Sequence, residues 1–178
     1  MNVDPTLNHQ KLGVKEVSIR RMGAADIDRI ASIHAVTFPR QHRSLEWIES
    51  NYRAFPRVQY FIAAAGENVI GFIMWTQKSG FRPEAVIELE QIAVRPDRRN
   101  QGIGELLIRR SLPLLSTQII EYGAKIKHII VTTRHDNAAQ SLYTKVLGAK
   151  VEAVIPKLFS DDEVYMIARN INIVDIAK

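Results

Sequence analysis

The stretch from Val86 to Leu107 constrains this chain most. Val86 to Val94 is an apolar run that reads as a strand, and Pro96-Asp97 interrupts it. Arg98-Arg99-Asn100-Gln101-Gly102-Ile103-Gly104 then leads into a helical pattern that starts near Ile103. A strand, a glycine-containing loop and a helix in this order form a β-α unit, which needs a sheet to pack on. Glycines lack Cβ atoms, so backbone N–H groups there can approach a ligand closely. The loop also feeds a helix N-terminus, where unpaired N–H groups and the macrodipole favour an anion. Arg98 and Arg99 add positive charge, and a pyrophosphate suits such a loop. It is neither a Walker A loop nor a full dinucleotide fingerprint, because Leu107 stands where the third glycine of the latter belongs.

The rest of the chain supplies the sheet. Val17 to Arg20 reads as a short strand. Asp26 is expected to cap a helix whose apolar stripe carries Ile27, Ile30, Ala31 and His34. His34 is expected to be a core or rim histidine. A second helix starts at Ser44 and ends before Pro56. Tyr60 to Ala65, the turn Gly66-Glu67-Asn68 and Val69 to Thr76 make a hairpin. Pro113 lies inside the helical stretch after the glycine loop and is expected to kink or divide it. Gly123 is a helix stop. His128 to Thr133 is a strand, Asn137 to Val146 a helix closed by Gly148, and Val151 to Val154 and Val164 to Ala168 two late strands. This order predicts an α/β (α+β) fold: a mixed, mostly antiparallel sheet of six to seven strands flanked by helices. Residues 1–16 read as an N-terminal tail, 17–170 as one domain and 171–178 as a C-terminal tail.

Composition narrows the chemistry. The chain has 178 residues and 46% apolar content, enough for one domain with its own core. It has no cysteine, which removes disulfides, thiolate metal sites and a cysteine nucleophile and suits a cytoplasmic protein. The first residues lack the apolar core of a secretory signal, and no run is long enough for a membrane span. The net charge of +5 favours anionic ligands. The basic residues gather around the glycine loop and form no stripe interleaved with aromatics, which argues against nucleic acid. His9, His34, His42, His128 and His135 show no metal-ligand spacing, so no metal is expected.

Two blocks together resemble the GCN5-related N-acetyltransferases. The first is Arg99-x-x-Gly102-x-Gly104 after a strand ending Ile92-Ala93-Val94. The second is Asn137-Ala138-Ala139-Gln140-Ser141-Leu142-Tyr143-Thr144-Lys145-Val146-Leu147-Gly148-Ala149, in which one residue is inserted before the glycine and Ala149 replaces an aromatic. The resemblance spans about Val17 to Arg169. It implies a splayed strand pair with acetyl-CoA in the gap. Backbone at Ile92, Ala93 and Val94 would hold pantetheine, and Arg99, Asn100, Gln101, Gly102, Ile103 and Gly104 the pyrophosphate. Asn137 would lie near the pantetheine arm and Tyr143 near the sulfur.

The implied reaction is direct transfer to a primary amine of a small molecule, a protein N-terminus or a lysine. The alternative is a non-catalytic acyl-CoA sensor. Amine attack needs a base, the oxyanion needs donors such as the Ile92 N–H, and the leaving thiolate is helped by an acid. Tyr143 is the expected acid. Glu90 is the first candidate base, placed just before the splay, and Glu88 the second. The two are a strand period apart and so share a face. Phe38-Pro39, Ile92-Ala93-Val94 and Arg134-x-x-Asn137 are similar to the ribosomal-protein N-terminal acetyltransferase branch, whereas Thr132 and the lone Tyr165 depart from it. Arg40, His42 and Arg43 lie in the loop expected to face the substrate; they read first as a solvated face and, as the alternative, as groups that greet an acidic substrate. A monomer or homodimer is expected.

Overall fold

The computed structural model describes residues 16–177. In chain order the elements are β1 (Val17–Arg21), α1 (Ile27–Thr37), α2 (Ser44–Arg53), β2 (Val58–Ala65), β3 (Asn68–Lys78), β4 (Glu84–Val94), α3 (Ile103–Glu121), β5 (Lys125–Arg134), α4 (Gln140–Leu147), β6 (Lys150–Ile155), β7 (Glu163–Arg169) and α5 (Ile173–Ile176). The strands form one seven-stranded sheet in the order β1-β2-β3-β4-β5-β7-β6. Only β4 and β5 run parallel, joined through α3; the other neighbours are antiparallel. The expected mixed sheet and element order are present.

Both faces of the sheet are covered over its central strands, which explains the nearly unbroken apolar run of β2. One core puts Phe61, Ile73, Trp75, Ile87 and Leu89 against Leu107, Ile108, Leu112 and Leu115 of α3 and Tyr143, Val146 and Leu147 of α4. The other packs Tyr60, Ile62, Phe72 and Met74 against Ile30 and Ile33 of α1 and Ile48 of α2. The Trp75 Nε1–H donates to the buried Ser111 Oγ at 2.9 Å and ties β3 to α3.

Four local expectations change. α3 runs unbroken through Pro113. A proline removes one backbone donor, but Leu107, Ile108, Leu112, Leu115 and Ile119 on the helix's buried face hold both sides of it in one core. Asp26 does not cap α1 with its side chain. Its carboxylate accepts the Gly23 N–H at 2.8 Å and takes both Arg20 terminal nitrogens at 2.7 and 2.8 Å, fixing the turn that precedes the helix. α4 begins at Gln140, three residues after Asn137, because Asn137 forms its own turn: its Oδ1 accepts the Ala139 N–H at 3.0 Å. The expected C-terminal tail contains α5, whose Ile176 is buried against α3 and whose carbonyl accepts from Arg109 Nη1 at 2.7 Å. The tail expected over residues 1–16 lies outside the described residues except for Glu16.

Candidate active site

The site is a fork in the sheet. β4 and β5 pair from Glu84↔Lys125 to Glu88↔Ile130, and no pair lies beyond. Past that point β4 stays paired to β3 as far as Val94↔Gly71, and β5 stays paired to β7 as far as Arg134↔Glu163. Each strand therefore carries a free inner edge, with backbone N–H and C=O groups facing an open gap. Such groups need partners when covered. Ile92, Ala93 and Val94 lie on the β4 edge of this gap.

A β-bulge sits at the fork. The register against β3 steps from Met74↔Gln91 to Trp75↔Leu89, so Glu90 is the extra residue. A bulge shifts the side-chain phase and re-aims the neighbouring side chains. Leu89 faces the α3 core, yet Gln91 turns to the other face. There the Gln91 Oε1 accepts from Trp47 Nε1 at 3.3 Å, and Gln91 Nε2 donates to Gln41 Oε1 at 3.0 Å. His34 lies 3.1 Å from Gln91 Nε2 and 2.9 Å from Ser44 Oγ, fully buried, and burial pulls its pKa below the ordinary value. His34 is thus the expected core histidine, and this polar cluster ties α1 and α2 to β4 beside Glu90.

The two glutamates have different surroundings. Glu88 is held: Lys78 Nζ donates to Oε2 at 2.7 Å and Thr132 Oγ1 to Oε1 at 3.3 Å, which bridges the last paired rung of the fork. Glu90 is half-buried and accepts one bond, from Thr76 Oγ1 at 2.6 Å. It stands two residues past the last β4–β5 pair, inside the splay and not just before it as the sequence suggested. Close by, the Tyr60 hydroxyl is buried with no hydrogen-bond partner among the described residues, and burial with the Glu90 charge pushes its pKa far up. Neither Tyr60 nor Thr76 was singled out from sequence, where both read as strand residues.

Tyr143 projects from α4 into the α3-side core, and its hydroxyl makes no hydrogen bond among the described residues. Burial pushes it up to about 12. α4 is drawn close to the loop through Leu142: a Cβ on Gly104 would lie 3.2 Å from Leu142 Cδ2 and 4.0 Å from Ile92 Cδ1. Gly104 therefore permits helix packing next to the gap, a role beyond ligand approach. Gly102 has φ +78°, a left-handed conformation that side chains resist.

No side chain caps α3, so its first N–H groups lack helical partners and aim out of the loop. Arg99 uses Nε on the Val94 carbonyl at 3.2 Å and leaves its exposed guanidinium tip at the loop. Glu105 sits in the first turn of α3, where its charge would repel an anion. Lys145 at 2.7 Å and Arg109 at 2.9 Å neutralise it and hold its pKa below the usual carboxylate range. Asn137 is satisfied within the chain, donating to Thr133 Oγ1 at 2.7 Å while accepting from Ala139, so its visible work is to shape the turn before α4.

The far rim is formed by the loop between α1 and α2 and the loop between β6 and β7. Arg40 Nη1 donates to Ser160 Oγ at 2.6 Å and lies 3.4 Å from Asp161, which also pairs with Arg134 at 3.4 Å. Arg43 pairs with Glu46 at 3.1 Å. These arginines are engaged within the chain, and the groove floor carries Glu88 and Glu90. The alternative in which this loop greets an acidic substrate does not fit that arrangement; the exposed Arg40 and Arg43 read as a solvated face. A surface cavity of about 640 Å³ between α1 and the start of the glycine loop, lined by Arg29, Ile33 and Arg95 among others, contains none of these residues. Among the described residues no group of three or more His, Asp or Glu is placed to hold a metal ion, and no helix is long and apolar enough to cross a membrane.

Comparison with known proteins agrees with this geometry. The fold is similar to Ard1 from Thermoplasma volcanium (TM-score 0.69, 18% identity, 88% of this chain and 99% of that one). It is also similar to Arabidopsis thaliana NAA60 in complex with acetyl-CoA (TM-score 0.69, 17% identity, 85% and 97% covered). An aminoglycoside 6′-N-acetyltransferase complexed with coenzyme A matches at a TM-score of 0.68, with 18% identity and 87% and 98% covered. No curated protein matches the chain by sequence. The model of the acetyltransferase (GNAT) family matches residues 27–149, across the fork, the glycine loop and α4. The chain belongs to the acetyltransferase (GNAT) family.

Proposed function

We propose that the protein moves the acetyl group of acetyl-CoA directly onto a primary amine, with both substrates bound at once. The observation that carries this reading is the fork itself: two free strand edges that end at an uncapped, arginine-flanked helix N-terminus. A long donor with an amide-rich arm and a pyrophosphate matches those two features in series. Backbone of Ile92, Ala93 and Val94 pairs with the arm. Arg99, Asn100, Gln101, Gly102, Ile103 and Gly104 surround the pyrophosphate, and Asn137 sets the turn that lays α4 over the arm.

Glu90 is the base. It takes a proton from the acceptor ammonium or, through a water, from the attacking amine. The nitrogen bonds to the thioester carbon, the Ile92 N–H steadies the oxyanion, and the C–S bond breaks. The thiolate leaves with a proton from Tyr143, which burial keeps protonated throughout the physiological range. Glu88, tied to Lys78 and Thr132, keeps the fork in register and is the weaker candidate for proton transfer. Proteins of similar fold act on an aminoglycoside or on spermidine. For this chain the acceptor is a small amine, a protein N-terminus or a lysine. The absence of cysteine suits a reducing cytoplasm.

The test is direct. Incubation with acetyl-CoA and a panel of amines, then mass spectrometry of the amines, should yield an N-acetylated product that fails to form without protein. Acetyl-CoA at about a hundredfold over its Kd should also stabilise the fold by about 2.7 kcal/mol. No product from any amine and no shift in Tm would overturn the reading.

A further inference from the structure

The acceptor side of the sheet holds one buried acid with no partner. Glu163, the first residue of β7, is 6% exposed, and its carboxylate makes no hydrogen bond or ion pair among the described residues. Its face is set by the register. Thr132 donates to Glu88, so the two share the α1–α2 face of the sheet. Arg134 is two residues on from Thr132, and Tyr165 and Glu163 stand opposite Thr132 and Arg134 on β7. All therefore line the same face, under the rim closed by Arg40, Ser160 and Asp161.

The charges around Glu163 do not balance. Arg134 faces it across the rung, yet that guanidinium grips Asp136 through bonds of 3.0 and 2.7 Å and also pairs with Asp161. Arg40 shares the same Asp161. His135, exposed and next to Arg134, adds a weak favourable field, while Asp161 and Asp136 oppose ionisation. Arg40 and Arg134 thus meet Asp136, Asp161 and Glu163, and the carboxylate left over is the buried one. A carboxylate on a largely buried residue that no side chain pairs with is open to a cation arriving from the groove. Glu90, with only a hydroxyl donor, and the partnerless Tyr60 hydroxyl lie toward the fork on this same face.

We infer that Glu163 is a second cation-recognition point in the acceptor groove, so that the acceptor is an amine carrying a second positive charge, a diamine in its simplest form. One nitrogen sits at Glu90 and reacts; the other sits at Glu163 and orients the molecule. This rests on the acetyl-transfer reading of the groove, and the experiment separates the two. Binding of linear α,ω-diamines and of monoamines of equal length to the coenzyme A-loaded full chain is measured by calorimetry, with thiol release from acetyl-CoA monitored in parallel. The best diamine should bind about tenfold or more tighter than its monoamine, the ratio expected of one charge-assisted contact, and Glu163→Gln should collapse that ratio. Equal affinities in the unaltered protein overturn the inference without any variant, as does a ratio that survives Glu163→Gln, or an absence of binding by every amine. Thiol release with monoamines and no diamine preference removes the inference and leaves acetyl transfer standing. Diamine-selective binding that depends on Glu163 but gives no thiol release does the reverse.

Discussion

Two glutamates with the same spacing signature have different fates, and the difference lies in their partners. Glu90→Gln should lower kcat about a hundredfold or more, the usual contribution of a general base, while leaving acetyl-CoA binding intact; steady-state kinetics beside calorimetry reads both. Glu88→Gln should instead lower Tm, because it breaks the partly buried Lys78 pair. An equal kinetic loss in both variants would contradict the assignment. Tyr143→Phe removes a hydroxyl without a partner, so the fold should be nearly unaffected while turnover falls where chemistry is limiting. That tyrosine also carries a pH signature. The folded state holds its proton up to about 12, whereas an unfolded tyrosine releases it near 10. Stability present below pH ~10 is therefore lost as pH rises toward 12, and Tyr143→Phe should soften that alkaline decline in melting curves. At this scale the sequence was legible where a motif fixes a backbone position, as for the glycines at Gly102 and Gly104. It was silent on Tyr60, Thr76 and Glu163, whose meaning depends on which strand lies beside them.

At the scale of elements, the glycine loop and α4 act as one assembly. Gly104→Ala places a Cβ 3.2 Å from Leu142 Cδ2, so Tm should fall and acetyl-CoA affinity with it. Leu142→Val, which shortens the offending side chain, should restore part of both. Gly102→Ala meets a different obstacle, a left-handed backbone, and should cost about 1 kcal/mol with no rescue from Leu142. The helices on the other face respond to acid. Burial holds the folded pKa of His34 below its ordinary 6.5, so the unfolded chain takes up that proton first as pH falls. Stability should therefore decline from about pH 6.5 downward until the folded histidine also titrates; His34→Gln should flatten this limb in urea melts. The sequence placed every strand because apolar runs and turn residues mark them locally. It misjudged Pro113 because the long buried face of α3, which overrides one lost hydrogen bond, is a tertiary fact. It misplaced Glu90 relative to the splay because the point where β4 and β5 part is a property of two strands, and only one is read at a time.

Across the whole molecule, one sheet is divided into two jobs. The stretch from β2 to β4 is buried on both faces and gives the fork a rigid arm. The half from β5 to β7 is the other arm, and its outer strand β6 is exposed along nearly its whole length. Between them lies the gap, with the N-terminus of α3 at one end and Glu90 on the α1–α2 face. The end of the gap at α3 is basic at Arg98 and Arg99 and the floor at Glu88 and Glu90 is acidic, so the net charge of +5 describes neither. This polarity was hidden in the sequence because Arg40 and Arg43, which look free in a linear reading, are tied to Asp161 and Glu46 in the fold. The central claim is that the fork holds a thioester beside a base that activates an amine. Amine-dependent release of thiol from acetyl-CoA, measured as initial rate against amine concentration, tests it most directly. The account predicts release that saturates in both substrates and is reduced about a hundredfold in Glu90→Gln. Release that is independent of amine, or none at all from a protein that acetyl-CoA demonstrably stabilises, would contradict it.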